Sequence, residues 1–591
     1  MSDYSLIISG DCGGTNTRLS LWKIPNGATQ LKGNIAPGDA IFAKKYLNED
    51  HASFNEVCHL FMNEAKLTDH VPEACVLACA GPILNNTVDF TNVEFGWKID
   101  GASLEKELGI KQVKLINDFA AMGYGLLTLR PHEYIVLNDA PKDETAPMAT
   151  IGAGTGLGEC FLTPGNDGQY SCFACEGGHT DFAPADEIEI ELYNEIKTKL
   201  GCSQRFSVER IVSGPGLATI YEFLAKKFPE KVDPKVHEQF LTANTQQGKV
   251  IGENAKTNEL CNQTLEIFVG AYGREAGNAM LKYLPRGGFY ITGGLAPRTW
   301  TTSLRRTFSS SLCSTRVVFT NIKHGWKIDG PGLEKELGIT TVKLINDFAA
   351  MGYGLLTLKP HEYIVLNEAE KEEGMPIATI GAGTGLGECY LTADKDGNYS
   401  RTHRQWPGLA NIYRFLAKKF PDKVDKKVHE AFVRAKALQG KIVGDNAKTN
   451  ELCNQAMEIF VDAYGREAGC AMLKYLPRGG FYITGGLAPK NLDYFTQKDI
   501  FLKACFNKGR VSPALKAIPI YLVLTEDLGE RGAHYYAYQL LQTYNNSLLG
   551  NIIQRERVQR KFATMDHLAL YSTIGAVGVA AGVVLGNLLR K

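Results

Sequence analysis

Along the first 298 residues, short runs rich in Val and Ile alternate with stretches whose apolar residues recur at helical spacing. Leu6–Ile8, Leu19–Trp22, Ala74–Leu77, Val113–Ile116, Ala149–Ile151 and Phe289–Ile291 read as strands, and Leu260–Tyr283 reads as one long helix. Strands alternating with helices indicate an α/β architecture.

The pattern then repeats itself. Trp97–Tyr134 recurs at Trp326–Tyr363 with 5 changes in 38 positions, and the register of 229 holds without a gap through Ser171 and Ser400. A second matched block pairs Pro215–Arg298 with Pro407–Lys490 at an offset of 192, so the second copy lacks 37 residues. The missing stretch takes out most of Cys172–Gly214, with Arg401–Trp406 left in its place. A unit this long is no solenoid repeat but a near-duplicated domain. The first copy is damaged elsewhere. After Arg298 it continues as a Ser/Thr/Arg-rich stretch without periodicity, where the second copy reads Asn491–Lys508. Shifting the frame of codons allowed for 298–316 reproduces 15 of those 18 residues. The stretch therefore reads as an out-of-frame copy of the segment that the second copy preserves, in a fusion of two tandem genes or a joined gene model. A novel polar linker is the alternative. The expected organisation is a first copy at 1–298, a junction at 299–319, a second copy at 320–545, a basic linker at 546–567 and a final segment at 568–589.

Composition narrows the function classes. With 44% hydrophobic and 22% charged residues in 591, the chain is neither disordered nor short of core material. Its 64 basic and 64 acidic side chains balance, which argues against a nucleic-acid partner. Fourteen cysteines in a chain of this length are no disulfide scaffold, and Met1–Ser5 leads straight into a strand, so a reducing intracellular compartment is expected. Leu568–Leu589 carries no charge and is long enough for a bilayer core of ~30 Å. Its Gly578, Gly582 and Gly586 suit close helix contacts in lipid, while four glycines would make a poor helix in water. With Arg555, Arg557, Arg560 and Lys561 before it and Arg590 and Lys591 after it, the run reads as a transmembrane tail anchor. Its expected target is the cytosolic face of an organelle, the mitochondrial outer membrane fitting best; a soluble core helix is the alternative.

Several motifs carry candidate chemistry. Asp11-Cys12-Gly13-Gly14-Thr15-Asn16-Thr17-Arg18 lies between two expected strands, where glycines admit a phosphate, hydroxyls can donate to it and Asp11 can hold Mg2+ through water. The alternative is a plain hairpin turn. Ile151–Gly158 is a second glycine loop, followed by a strand rather than a helix, so the two together suggest a phosphate clamped between hairpins. Asp118 ends a strand and opens a helix: it suits a general base for a substrate hydroxyl, and it equally suits an N-cap. Glu176-Gly177-Gly178-His179 and Glu209 offer the acceptors that a polyol requires, or else form a solvated turn and a surface position. Cys172 and Cys175 lack a second pair at zinc spacing and read as free thiols.

Taken in order, DCGGTNTR, LINDFAAM, IGAGTGLGEC, CEGGHTDFAP, SVERIVSGPG and FYITGGLAP closely resemble the bacterial-type glucokinase family, over essentially Tyr4–Leu541. The resemblance implies the two-domain, actin-like/hexokinase (ribonuclease H-like) α/β fold, here duplicated. It implies ATP and Mg2+ as cofactors and glucose as substrate; a homodimer is left open. Gly10, Asp11, Cys12, Gly13, Gly14 and Thr15 would form the first phosphate loop. Gly154, Thr155 and Gly156 fall in the second, and Gly293 and Gly294 match the adenosine turn. Asn117, Asp118, Glu176, His179 and Glu209 match the sugar ligands, with Asp118 the general base for the 6-hydroxyl and the sugar enclosed by domain closure. The second copy keeps Asn346, Asp347 and Gly381–Gly387 but has no first loop, no EGGH and no counterpart of Glu209, so it is expected to be inactive. The closing strand Ile518–Leu524 and the helix from Gly532 occur once, attached to the second copy, and the sequence does not say which copy uses them. A kinase for another hexose and an inactive sugar-binding or scaffold protein are the rival expectations.

Overall fold

The computed structural model describes residues 3–541, apart from 14, 29–35, 68–69, 82, 84, 91–95, 139, 166–168, 202–204, 296–333, 336–341, 343–344, 383–385, 394–398, 405–407, 436–437, 526 and 540. The chain divides into two units, Met1–Leu344 with Lys359–Glu526, and Ile345–Leu358 with Asp527–Lys591.

In the first unit the chain opens with β1 (Tyr4–Cys12), β2 (Asn16–Pro25) and β3 (Asp39–Leu47). They are followed by β4 (Ala74–Cys79), the small hairpin β5 (Thr87–Phe90) and β6 (Trp97–Asp100), and then β7 (Gln112–Asn117). Five of them form one sheet in the order β3-β2-β1-β4-β7, where β1, β4 and β7 run parallel. Alternation of apolar and polar residues along β2 buries Leu19 and Leu21 against Phe54, Val57 and Phe61 of the helix Phe54–Glu64. The second sheet of the first copy comprises β8 (Met148–Ala153), β9 (Leu157–Pro164), β10 (Tyr170–Cys175) and β11 (Gly288–Thr292), in the order β10-β9-β8-β11. The long helix Glu259–Tyr283 covers it, capped by the Asn258 side chain and buried along most of its length. All six strands and the helix read from the pattern are present.

The second copy supplies a sheet of six: β12 (Tyr363–Asn367), β13 (Ile377–Ala382), β14 (Leu386–Ala393), β15 (Tyr399–Arg404), β16 (Gly480–Thr484) and β17 (Ile520–Val523), ordered β12-β17-β16-β13-β14-β15. The closing strand is thus taken by the second copy. β17 runs parallel to β16 and antiparallel to β12, while β11, its counterpart's position in the first copy, has β8 as its strand partner. The consequence is visible in identical sequence. Within Glu362-Tyr363-Ile364-Val365-Leu366-Asn367, the stretch from Tyr363 onward forms β12 because Leu522 and its neighbours pair with it. Glu133-Tyr134-Ile135-Val136-Leu137-Asn138 forms no strand, and Ile135 and Val136 are 53% and 61% exposed.

The two copies pack face to face with pseudo-two-fold symmetry. Lys474 of the second copy reaches Glu159 at 3.0 Å and Glu275 at 2.5 Å of the first; its counterpart Lys282 reaches Glu388 at 2.8 Å and Glu467 at 2.7 Å of the second. Tyr283 donates to the carbonyl of Lys474 and Tyr475 to that of Lys282, and the equivalent residues Thr163 and Thr392 meet on the pseudo-axis at 3.2 Å. Each residue meeting its counterpart's partner is the signature of an isologous interface. Burial works against the ammonium charges of Lys282 and Lys474, yet the carboxylates facing each hold both above the ordinary lysine range. Apolar packing is continuous across the join, since Phe161 and Tyr283 share a core with Tyr390 and Tyr475.

In the smaller unit, the helix Asp347–Leu355 packs against a helix over 528–539. Tyr353 stacks on Tyr536 with ring centroids 5.1 Å apart, and a Cβ on Gly532 would lie 1.6 Å from the Ala350 carbonyl oxygen, so the approach requires glycine. Among the described residues no helix is long and apolar enough to cross a membrane. The expected span Leu568–Leu589, like the linker before it and the whole junction at 299–319, lies outside the described residues.

Candidate active site

Two hairpins and three short turns of the first copy converge here. The first hairpin joins β1 to β2, with Gly13 donating to the Asn16 carbonyl at 3.0 Å; Gly14 lies outside the described residues. A side chain on Gly10 would run into Leu77 and Leu19 at 2.6 and 2.8 Å. Asp11 and Thr15 are exposed at the turn and Cys12 is buried beneath it. Asn48 braces this loop. It accepts from Thr17 Oγ1 at 2.9 Å, donates to the Gly13 carbonyl at 2.8 Å and gives its backbone N–H to Thr15 at 2.9 Å. Nothing in the sequence singled Asn48 out, because it acts 35 positions from the turn it fixes.

The second hairpin joins β8 to β9 through Gly154-Thr155-Gly156. Gly154 donates to the Gly156 carbonyl at 2.8 Å and accepts from Gly214 at 2.7 Å. The N–H groups of Gly13 and Gly154 therefore hold the loops in shape, while the hydroxyl-bearing Thr15 and Thr155 are the residues exposed at the two tips. Phe119 lies over this hairpin so closely that a Cβ on Gly158 would come within 2.0 Å of its ring. Gly293, at φ +86°, turns the chain out of β11 against the Ala153 backbone, and Gly294 follows it exposed.

Asn117 ends β7 and caps the helix Asp118–Leu126: its Oδ1 accepts from the Phe119 N–H at 2.8 Å and its Nδ2 donates to the Gly81 carbonyl at 3.1 Å. The cap is thus Asn117 and not Asp118, which shares the same N–H at 2.9 Å from the first helical turn. Asp118 keeps an accessible edge, while protein packed behind it, and then the charge of Asp11, push its carboxyl above the usual value.

Glu176 precedes the single turn Gly177–His179, and Glu209 sits in the turn Val208–Arg210. His179 stands between them, with Nε2 3.7 Å from Glu176 and Nδ1 3.8 Å from Glu209. Glu209 also accepts the Leu157 N–H at 3.1 Å, which ties the sugar-ligand candidates to the second hairpin. Burial, and then the charges of Glu209 and Asp118, push Glu176 up to about 7 against the pull of Arg510. Burial also lowers His179, opposed by Glu209 and helped by Arg510, Arg205 and Arg210. Hydroxyl-bearing loop tips, an accessible carboxylate of raised pKa and an acid–imidazole–acid cluster form one constellation suited to a polyol and a polyphosphate.

The family model described as Glucokinase matches residues 8–318, 307–402 and 406–540. The chain belongs to the glucokinase family. A glucokinase of Synechocystis sp. is 40% identical over 305 residues, covering 49% of this chain and 84% of that protein. A glucokinase of Escherichia coli is 33% identical over 302 residues, covering 50% of this chain and 83% of that protein. Among solved structures, glucokinase from an Antarctic psychrotroph is 25% identical with a TM-score of 0.43, covering 54% of this chain and 91% of that one. Each glucokinase relative thus spans about one copy's worth of this chain. The second copy repeats the helix start, with Asn346 capping through the Phe348 N–H at 2.9 Å and Asp347 beside it. Gly383–Gly385 of its glycine loop lie outside the described residues.

Proposed function

We propose that the first copy is where this glucokinase-family chain phosphorylates glucose with ATP, and that Asp118 is the general base. Asp118 would take the proton of the sugar 6-hydroxyl as that oxygen attacks the γ-phosphorus in line. Asn117, Glu176, His179 and Glu209 would hold the remaining hydroxyls, and the two hairpin tips would flank the phosphates, with the Gly293-Gly294 turn beside the adenosine. The observation that carries this assignment is the division of labour at the helix start. Asn117 supplies the cap, so the raised, accessible carboxylate of Asp118 is not needed for it. Asp11 is an exposed carboxylate near Asp118, a hard oxygen ligand of the kind Mg2+ prefers, and the ion would neutralise phosphate charge there.

The second copy would be silent, since it has no first hairpin, no EGGH and no Glu209 counterpart. From the sequence alone, Leu568–Leu589 would tether the enzyme with its catalytic part in the cytosol; carbonate extraction of membranes should leave the chain in the pellet. Coupled detection of glucose 6-phosphate from the full chain, Mg-ATP and a panel of glucose, mannose and galactose tests the assignment. Glucose should be preferred. A preference for an epimer would replace the substrate, and a folded chain that binds glucose without turnover would be a sugar-binding protein instead.

A further inference from the structure

The first copy's sugar site contains a residue from the second copy. In the turn Gly509–Val511, Arg510 places Nη2 3.1 Å from Glu209 Oε1 and 3.4 Å from His179 Nε2. Its neighbour Lys508 is fully buried and anchors the turn, donating to Asp181 at 2.8 Å and to the Arg466 carbonyl at 3.0 Å. Asp181 in turn holds Arg205 at 2.6 Å, and Arg205 donates to the His179 carbonyl at 2.9 Å. Gly509, at φ +61°, lets the turn send Lys508 inward and Arg510 out to the site. The second copy also receives the Glu176 N–H at the carbonyl of Leu473, at 2.8 Å. Two of the three sugar-ligand segments therefore touch residues more than 290 positions away.

We propose that Arg510, supplied by the silent second copy, is a positioning residue for Glu209 and His179 of the first. This rests on the assignment of those two residues to the sugar site. Glu209 is held at both oxygens, Oε2 by the Leu157 N–H and Oε1 by Arg510, so its remaining lone pairs keep a fixed direction. A guanidinium can only donate, so its approach to His179 Nε2 requires that nitrogen unprotonated and places the ring proton on Nδ1, facing Glu209. Arg510 also sets a positive charge beside the acids Glu176 and Glu209, which otherwise repel one another across the imidazole. The altered stretch after Arg298 corresponds to Asn491–Lys508 and runs straight into the second copy, so the first copy's sequence has no counterpart of the Gly509–Val511 turn and the second copy supplies it. The degenerate copy acts here as a built-in subunit.

Arg510→Ala and Arg510→Lys in the full chain test this, with glucose affinity by calorimetry and steady-state kinetics beside Asp118→Ala. The side chain is 72% exposed, so folding should survive and the melting temperature should hardly move. Arg510→Ala should raise the glucose KM and Kd about two- to fivefold, the range of a mostly exposed ion pair, while the ATP KM stays put. Lysine should recover part of the loss. Unchanged glucose affinity overturns the proposal, as does tighter binding, which would make Arg510 a plug competing with sugar. If the parent chain turns over and Asp118→Ala abolishes it, such a result sinks the role of Arg510 alone. A parent chain that neither binds nor phosphorylates glucose sinks the sugar-site assignment with it.

Discussion

Glu176 gives the candidate site a pH signature. Its carboxyl is pushed up to about 7 by burial and by the facing acids Glu209 and Asp118, with Arg510 opposing. A raised acid favours the folded state while protonated, so its contribution is full below an ordinary glutamate pKa of ~4.5 and is lost as pH rises through about 7. If Glu176 accepts sugar hydroxyls as a carboxylate, kcat/KM for glucose should climb across that same pH, and Glu176→Gln should erase the inflection. A profile unchanged in Glu176→Gln would assign the titration elsewhere. Asn48 gives a second test. Asn48→Ala removes the bonds to Gly13 and Thr17 and should cost ~1–3 kcal/mol in urea unfolding, with a raised ATP KM. At this scale the motif residues were legible, because glycine, carboxylate and imidazole stand in compact strings. Asn48 and Arg510 were not, since each acts on a string far from its own position.

The hexapeptide at 133–138 and 362–367 shows what an element requires beyond its sequence. Both copies read Glu-Tyr-Ile-Val-Leu-Asn; the second is a strand because β17 pairs with it, and the first, without that partner, is not. β-propensity is the fit of a side chain to its neighbours across the ladder, and here the neighbour decides. Identical substitutions should therefore have unequal effects. Ile364→Asp, which pairs with Leu522, should destabilise by ~1–3 kcal/mol, whereas Ile135→Asp, 53% exposed, should stay within ~0.5 kcal/mol by thermal melting. Equal losses would mean that the first copy's segment is also packed. The helix Asp118–Leu126 tells the same story, with Met122 and Tyr124 39% and 42% exposed where its sequence twin buries Tyr353. Periodicity located the strands and the long helix, but it could not say which copy would hold the single closing strand.

At the scale of the whole molecule, two damaged copies complement each other. One carries the proposed catalytic motifs; the other keeps the closing strand and places Arg510 against Glu209 and His179. The repeat was plain in the sequence, but the face-to-face pairing was not, because Glu159, Glu275 and Lys282 look like ordinary charged residues until their counterparts meet them. Lys474 is buried against two carboxylates, so Lys474→Met leaves both without their cation and should cost ~3–5 kcal/mol. The most direct test of a division between a working copy and a supporting one is glucose-dependent ADP release by the full chain carrying Asp118→Asn or Asp347→Asn. The first substitution should lower kcat by a factor of at least ~10² and the second should leave it within about twofold. Comparable losses, or a loss confined to Asp347→Asn, would contradict it.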